Sequence, residues 1–175
     1  MFTKKTDRLF AKGAMHTRPW RVVLAGAIVA CAFGGMALRL AWATPGSGAT
    51  TTPIAGPTVF GEIDTKSETD DHEVELKTKG LSDVHVSHIR IVPGGHSGWH
   101  SHPGPSLISV KSGTLTLYDD CDDFQTPHDY PAGTGLVEDA GCVHRVVNRG
   151  STDLEIVVVQ IVPLGAPRRI DESAP

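Results

Sequence analysis

The sequence predicts an all-β fold for the folded part of the chain, on three observations. Short segments with β-branched or alternating apolar residues recur after residue 80, and LEIVVVQIV at residues 154–162 is the clearest of them. The 19 Gly and 12 Pro among the 175 residues suit many tight turns. No stretch after residue 58 has a helical period of useful length. Several short strands without helices favour a single β-sandwich or jelly roll, which protects its edges by folding over itself.

The individual strand segments are separated by turn residues. Residues 83–92 alternate between two faces, as expected for a strand. Residues 107–110 and 114–118 flank a hairpin turn that ends in Gly113. Residues 143–147 form a further short strand segment before the next turn.

The first 43 residues predict an export signal and not a part of the fold. A basic start is followed by an apolar run, residues 22–38, and by the small-x-small pattern Ala41-Trp42-Ala43. Cleavage after Ala43 is expected. The run is also just long enough to remain as an uncleaved membrane anchor, and residues 28–31 loosely resemble a lipoprotein signal. In each case the positive flank stays inside, so the rest is exported to the periplasm or out of the cell.

The composition of the exported part predicts a flexible linker followed by a domain. Its charge also indicates which classes of binding partner are not expected. Residues 44–58 are rich in Thr, Gly and Pro without periodicity, which predicts a flexible linker before a domain in residues 59–175. Removal of residues 1–43 takes away seven of 16 basic and one of 20 acidic residues, which leaves a net charge of −10. So acidic a protein is not expected to bind nucleic acid or an anionic membrane surface.

Two cysteines remain once the signal is removed. Cys31 lies in the apolar run, so only Cys121 and Cys142 belong to the exported part. In an oxidising compartment two cysteines can form a disulfide, which we expect here. The alternative is two free thiols.

The chemistry is concentrated at three histidines. His100 and His102 are separated by one residue, so on a strand their side chains point to the same face. Imidazole is the commonest protein ligand for transition metals. A third ligand must come from another strand, and His144, which follows a glycine turn at Gly141, is the best candidate. We therefore predict a site for one divalent transition metal (Fe, Zn, Cu, Ni or Mn) at these histidines.

The same residues resemble the two motifs of the cupin family. The first motif is Gly, five residues, His-x-His, three or four residues, Glu, six residues, Gly. The second is Gly, five residues, Pro-x-Gly, two residues, His, three residues, Asn. The matching residues are Gly94, His100, His102, Gly113, Gly133, Gly141, His144 and Asn148. The resemblance covers residues 84–162 and implies a single cupin barrel, a jelly roll also called a double-stranded β-helix.

The chain departs from these motifs at Ser106, where the family has Glu, and at Asp139, where it has Pro. In the family the Glu is commonly the fourth metal ligand, and a serine hydroxyl is a poor substitute. The expected site therefore consists of three neutral imidazoles and keeps about the full +2 charge of its metal. Such a site favours a small anionic or chelating substrate that binds directly to the metal.

The resemblance implies a metal-dependent enzyme that acts on a small molecule. Three-histidine cupins include thiol dioxygenases and β-diketone dioxygenases, so a dioxygenase-like oxidation is the most concrete expectation. Hydrolysis, isomerisation or lyase chemistry is equally open to such a metal. The alternatives are a cupin that holds a metal or small ligand without turnover, and one that has lost its metal. Arg90 is a candidate to steer an anion. Cupins often dimerise, so a homodimer is possible, although no residue indicates one.

Overall fold

The computed structural model describes residues 44–123 and 125–175, which consist of strands, turns and loops without a helix. The predicted signal or anchor in residues 1–43 lies outside these residues. Within them, no helix has the length and the apolar character needed to cross a membrane.

Twelve strands follow one another along the described residues. They are β1 (Ser47–Phe60), β2 (Asp64–Thr69), β3 (His72–Lys77), β4 (Ser82–His96), β5 (His100–Ser101), β6 (Ser106–Ser112), β7 (Thr114–Asp119), β8 (His128–Pro131), β9 (Gly135–Glu138), β10 (His144–Val147), β11 (Leu154–Pro163) and β12 (Ile170–Asp171). Ten of them form one sheet in which the pairings are antiparallel, while β2 and β3 form a separate, exposed hairpin.

The ten-stranded sheet is arranged as two runs of strands. One run has the order β1-β4-β11-β6-β9, and the other has the order β12-β5-β10-β7-β8. The runs meet where Val147 of β10 pairs with His96 at the end of β4. Ile108 and Ile156 from the first run lie in the same buried cluster as Leu117 and Val146 from the second. This barrel-like, helix-free sheet confirms the predicted all-β class and is consistent with a jelly roll.

The strand with the clearest sequence signal occupies the middle of its run. β11 lies between β4 and β6, and its side chains alternate strictly between buried and half-buried. Four of its five buried residues are apolar, and the fifth is Gln160, which is 2% exposed. A buried amide needs hydrogen-bond partners, and those of Gln160 lie at the site described below.

The prediction of a flexible linker over residues 44–58 is wrong for most of that segment. β1 runs along one edge of β4, and its register covers the whole length from Ser47 to Phe60. The pairing orders a segment whose threonines suit a strand. Its two prolines are tolerated because β1 is an edge strand, where a missing N–H faces no neighbour. Composition alone could not show this, since the free edge of β4 exists only in the folded sheet.

The predicted pairing of Cys121 with Cys142 is confirmed. The two residues form a disulfide across a sequence separation of 21. Beside it, Asp120 N donates to Val143 O at 3.0 Å and Val143 N donates to Asp120 Oδ1 at 2.7 Å. The turn that leads into β10 is therefore fixed both covalently and by hydrogen bonds. Such a bond is typical of exported proteins.

Candidate metal centre

The three predicted histidines lie together in the folded domain. His100 begins β5, His102 follows that strand directly, and His144 begins β10, where its register partner is His100. All three are buried, with 6%, 5% and 0% of their surface exposed. One ring nitrogen of each lies within 4.8 Å of one ring nitrogen of the other two. This grouping could hold a metal ion, as the spacing on β5 predicted.

The hydrogen bonds of the rings decide which nitrogen is available. The Nδ1 atom of each histidine lies 2.7–2.9 Å from a backbone carbonyl oxygen. The carbonyls belong to Gly98 for His100, Arg168 for His102 and Cys142 for His144. A carbonyl can only accept, so each Nδ1 carries a proton, and in the neutral ring each Nε2 presents a lone pair. His102 Nδ1 also lies 3.1 Å from Gln160 Nε2. Metal-binding histidines are usually oriented in this way.

One of these nitrogens supports the fit to a metal directly. His144 Nε2 is fully buried and makes no hydrogen bond of good geometry, although Glu138 Oε2 lies 3.3 Å from it. Such orphaned buried atoms are rare and often indicate an ion that belongs at the position. Three neutral imidazoles with free Nε2 atoms form a donor set that Zn, Fe, Cu or Ni accepts. The residues present therefore fit the metal that the motif resemblance implies.

A carboxylate that the sequence reasoning missed lies at the same place. Glu138, the last residue of β9, is only 3% exposed. Its Oε2 atom lies 3.4 Å from His102 Nε2 and 3.3 Å from His144 Nε2. The three-histidine group that could hold a metal is as expected, but the sequence reasoning did not foresee a carboxylate beside two of its members. Ser106, on which the expectation of a site without a carboxylate rested, is the register partner of Glu138 on β6.

The proximity of these groups shifts their pKa values. Burial raises the pKa of Glu138, but His102 and His144 outweigh burial and hold that pKa below its usual range, so the carboxyl is charged. Burial lowers the pKa of His144, while Glu138 raises it by more. Burial, with the charges of His144 and Arg169, lowers the pKa of His100 to about 3. His100 is therefore neutral near pH 7, as a metal ligand must be.

The sequence does contain a signal for Glu138. In β9, Leu136 is half-buried, Val137 is exposed and Glu138 is buried, which is the alternation expected of a strand. A period-two reading therefore places the carboxylate on the same side as Leu136, facing the interior. Glu138 also directly precedes Asp139, the second position that departs from the motifs.

Other candidates do not reach the centre. Arg90 is exposed and pairs with Asp153, with Nε donating to Oδ2 at 2.7 Å, so it cannot steer an anion into the site. Cys142 is in the disulfide and offers no thiol. Ser106 is fully buried, and its hydroxyl accepts from Gln160 Nε2 at 3.2 Å.

His100 and His102 line a pocket of about 580 Å³, a volume that includes space open to solvent. Its walls are largely apolar, and three of its polar groups are connected to His102: Glu138 and Gln160 directly, and Arg168 through Gln160. The apolar lining is Ile89, Ile91, Ile108, Val146, Ile156 and Val158, and the polar lining includes His100, His102, Glu138, Gln160, Arg168 and Arg169. The pocket thus pairs an apolar body with one polar end.

The two arginines of the pocket come from the C-terminal segment. β12 pairs with β5, and Glu172 N donates to Trp99 O at 3.0 Å, so this segment is attached beside the histidines. Arg168 also supplies the carbonyl that holds His102. The motif resemblance ends before this segment, so neither arginine was predicted.

Comparison with known proteins identifies the fold around this centre. The sequence model of the family described as a cupin domain matches residues 87–160, and no curated protein matches the chain. The polyketide cyclase RemF from Streptomyces resistomycificus is similar in structure, with 14% identity over 74% of this chain and 77% of that one and a TM-score of 0.51. The cupin domain of an XRE family transcriptional regulator from Enterobacter cloacae has 17% identity, over 70% of this chain and all of that one, with a TM-score of 0.44.

A further structural match spans slightly less than two thirds of the other protein's length. It is a conserved protein of unknown function from Streptococcus pyogenes, with 22% identity and a TM-score of 0.41. The match covers 46% of this chain and 66% of that protein. The family match includes β5, β6, β9 and β10, the strands that carry the histidines, Ser106 and Glu138. Residues 87–160 of this chain therefore form a cupin domain.

Proposed function

We propose that this protein is an exported, metal-dependent enzyme that acts on a small anionic molecule. The observation that supports it most is the set of three buried imidazoles whose Nδ1 atoms are all held by carbonyls. This leaves three Nε2 donors in one group, two of them on His100 and His102, which line a largely apolar pocket. Such convergence of a few polar groups in an apolar pocket is the usual form of a small-molecule site.

Arg168 supports the anionic character of the substrate. It is half-buried, lines the pocket and is held by its own hydrogen bond from Nη1 to Gln160 Oε1 at 3.0 Å. Among the described residues no carboxylate lies within 4.0 Å of Arg168, whereas Arg169 pairs with Asp171. The charge of Arg168 is therefore not neutralised by a neighbour. An arginine in this state attracts carboxylates and similar anions.

The apolar walls add the second part of the substrate's description. A molecule with an apolar body would bury that body against the isoleucines and valines, with its anionic group toward Arg168 and the histidines. A bound metal would supply Lewis-acid polarisation or, for a redox metal, activation of oxygen. We propose a dioxygenase-like oxidation as the reaction to test first. Binding of a metal or ligand without turnover is the alternative.

The function is tested on protein purified from its own host. We expect about one transition-metal ion per chain by elemental analysis, and oxygen uptake that depends on both the metal and an added small carboxylate. Metal without turnover of any substrate would favour the binding alternative, and absence of metal would contradict the proposal. The same sample tests export by intact mass, because the mature chain is expected to begin at Thr44.

Arg168→Ala is expected to weaken anion binding without loss of metal. Removal of one partly exposed charge should raise the Kd for azide, measured by the visible spectrum of the cobalt-loaded protein, by about fivefold. The backbone carbonyl that holds His102 remains in this variant. Arg90→Ala, an exposed arginine paired with Asp153, is the matched control and should leave the Kd unchanged. Equal azide binding by both variants would remove Arg168 from the site.

A further inference from the structure

The register of β6 and β9 places two chemically different side chains at equivalent positions. Ser106 and Glu138 are directly opposite each other in this antiparallel pair. Residues in that relation project from the same face, with their Cβ atoms about 5 Å apart. Both are buried, with Ser106 fully buried and Glu138 3% exposed. A carboxylate on β9 can therefore reach the region that a glutamate at position 106 would reach from β6.

The contacts of Glu138 indicate what it is there to bind. Its Oε2 atom lies 3.4 Å and 3.3 Å from the Nε2 atoms of His102 and His144. These are the nitrogens left with lone pairs, because their Nδ1 atoms donate to carbonyls. Donor atoms about 2.1 Å from one tetrahedral ion are about 3.4 Å apart. The observed spacing is thus that of ligands sharing an ion.

The polar neighbours of the buried Glu138 carboxyl are two histidine rings. A buried carboxylate is unstable unless it is paired or coordinates a metal. Among the described residues, Glu138 has no Lys or Arg within 4.0 Å. In the metal-free protein a proton on an Nε2 atom can join that ring to Glu138, and a metal ion in the same place would bind the carboxylate and both rings. The three histidine nitrogens lie within 4.8 Å of one another without Glu138, and the carboxylate adjoins this group at His102 and His144.

We propose that Glu138 is the carboxylate ligand of the metal held by His100, His102 and His144. It would replace the glutamate that the family motif has at the position of Ser106. The carboxylate ligand would then come from β9 and not from the neighbouring strand β6. The bound centre carries about +1 instead of +2, since one carboxylate offsets one charge of the ion. Because the metal centre then attracts an anionic substrate less strongly, the affinity for that substrate depends also on the charge of Arg168. This inference rests on the metal binding proposed above.

The test compares metal affinity in four full-length mature proteins stripped of metal with a chelator. They are the wild type, E138Q, the exchange S106E/E138S and the control E155Q, whose glutamate pairs with Lys111 and His88 away from the pocket. Glu138→Gln should weaken Zn²⁺ binding on the order of 100-fold or more, since loss of a residue that only orients a ligand already weakens it about 10- to 100-fold. The exchange variant, which has a carboxylate on β6 instead of β9, should recover affinity relative to E138Q. The control should match the wild type.

Spectra and a crystal structure separate a ligand from a residue that only orients one. Glu138→Gln should change the visible spectrum of bound Co²⁺, because the number or kind of ligands changes. In zinc-loaded wild-type crystals, a carboxylate oxygen of Glu138 should lie about 2.0–2.2 Å from the ion. That measurement needs no variant and stands even if E138Q does not fold. Wild-type Zn²⁺ binding with Glu138 more than 3 Å from the ion, or an E138Q protein with wild-type affinity and spectrum, would overturn this inference alone. Failure of the wild type to bind any divalent ion would instead overturn the proposed function.

Discussion

Replacement of His144 by alanine is expected to remove nearly all bound metal. His144 is fully buried, and its ring centroid lies 4.4 Å from that of His100 and 5.0 Å from that of His102. Its position is set by the β10 register and by the bond from Nδ1 to Cys142 O. No other histidine is grouped with these ligands in the described residues, so nothing can replace it. We expect a loss of metal affinity of more than about 100-fold, larger than the effect of a residue outside the ligand set.

Metal content by elemental analysis and Zn²⁺ affinity by competition with a chelator measure this effect. His128→Ala is the matched control. His128 is exposed, pairs with Asp122 and does not belong to the group of three histidines. The control should keep its metal. A folded His144→Ala protein that retains a full equivalent of metal would show that the three histidines are not the site. Circular dichroism of the metal-free forms checks the fold independently.

Removal of the disulfide is expected to lower the free energy of unfolding by about 3 kcal/mol, the value for a closed loop of about 20 residues in the chain-entropy model. Cys142 is also buried at 5% exposure, and its carbonyl holds His144. Loss of the bond should therefore weaken the position of that ligand as well. Urea unfolding of the oxidised protein and of a Cys121→Ser/Cys142→Ser variant measures the difference.

Metal affinity provides the second readout for the same pair of proteins. We expect a smaller loss than for His144→Ala, because the imidazole itself remains. The hydrogen bonds between Asp120 and Val143 still support the turn in the variant. An unfolding midpoint and metal affinity equal to those of the oxidised protein would show that the disulfide contributes to neither.

Local patterns were sufficient for five of the twelve strands, β4, β6, β7, β10 and β11, and for the histidines. A period of two along residues 154–162 and around His100 and His102 follows from the geometry of a single strand, whatever surrounds it. His144 was also identifiable, because the spacing of both motifs matched the family's. The disulfide followed from two cysteines and an expected exported location.

Three features depended on pairing between distant segments, and these the sequence alone did not decide. Residues 47–60 are a strand only because β4 offers an edge on which they pair. Glu138 reaches His102 and His144 only because β9 lies beside β6 in one register out of many. Arg168 lines the pocket only because β12 pairs with β5. The sequence by itself determined which side chains share a face within one strand, since that follows from backbone geometry. The tertiary structure decided which strands are neighbours, because that depends on the free energy of the whole sheet and core.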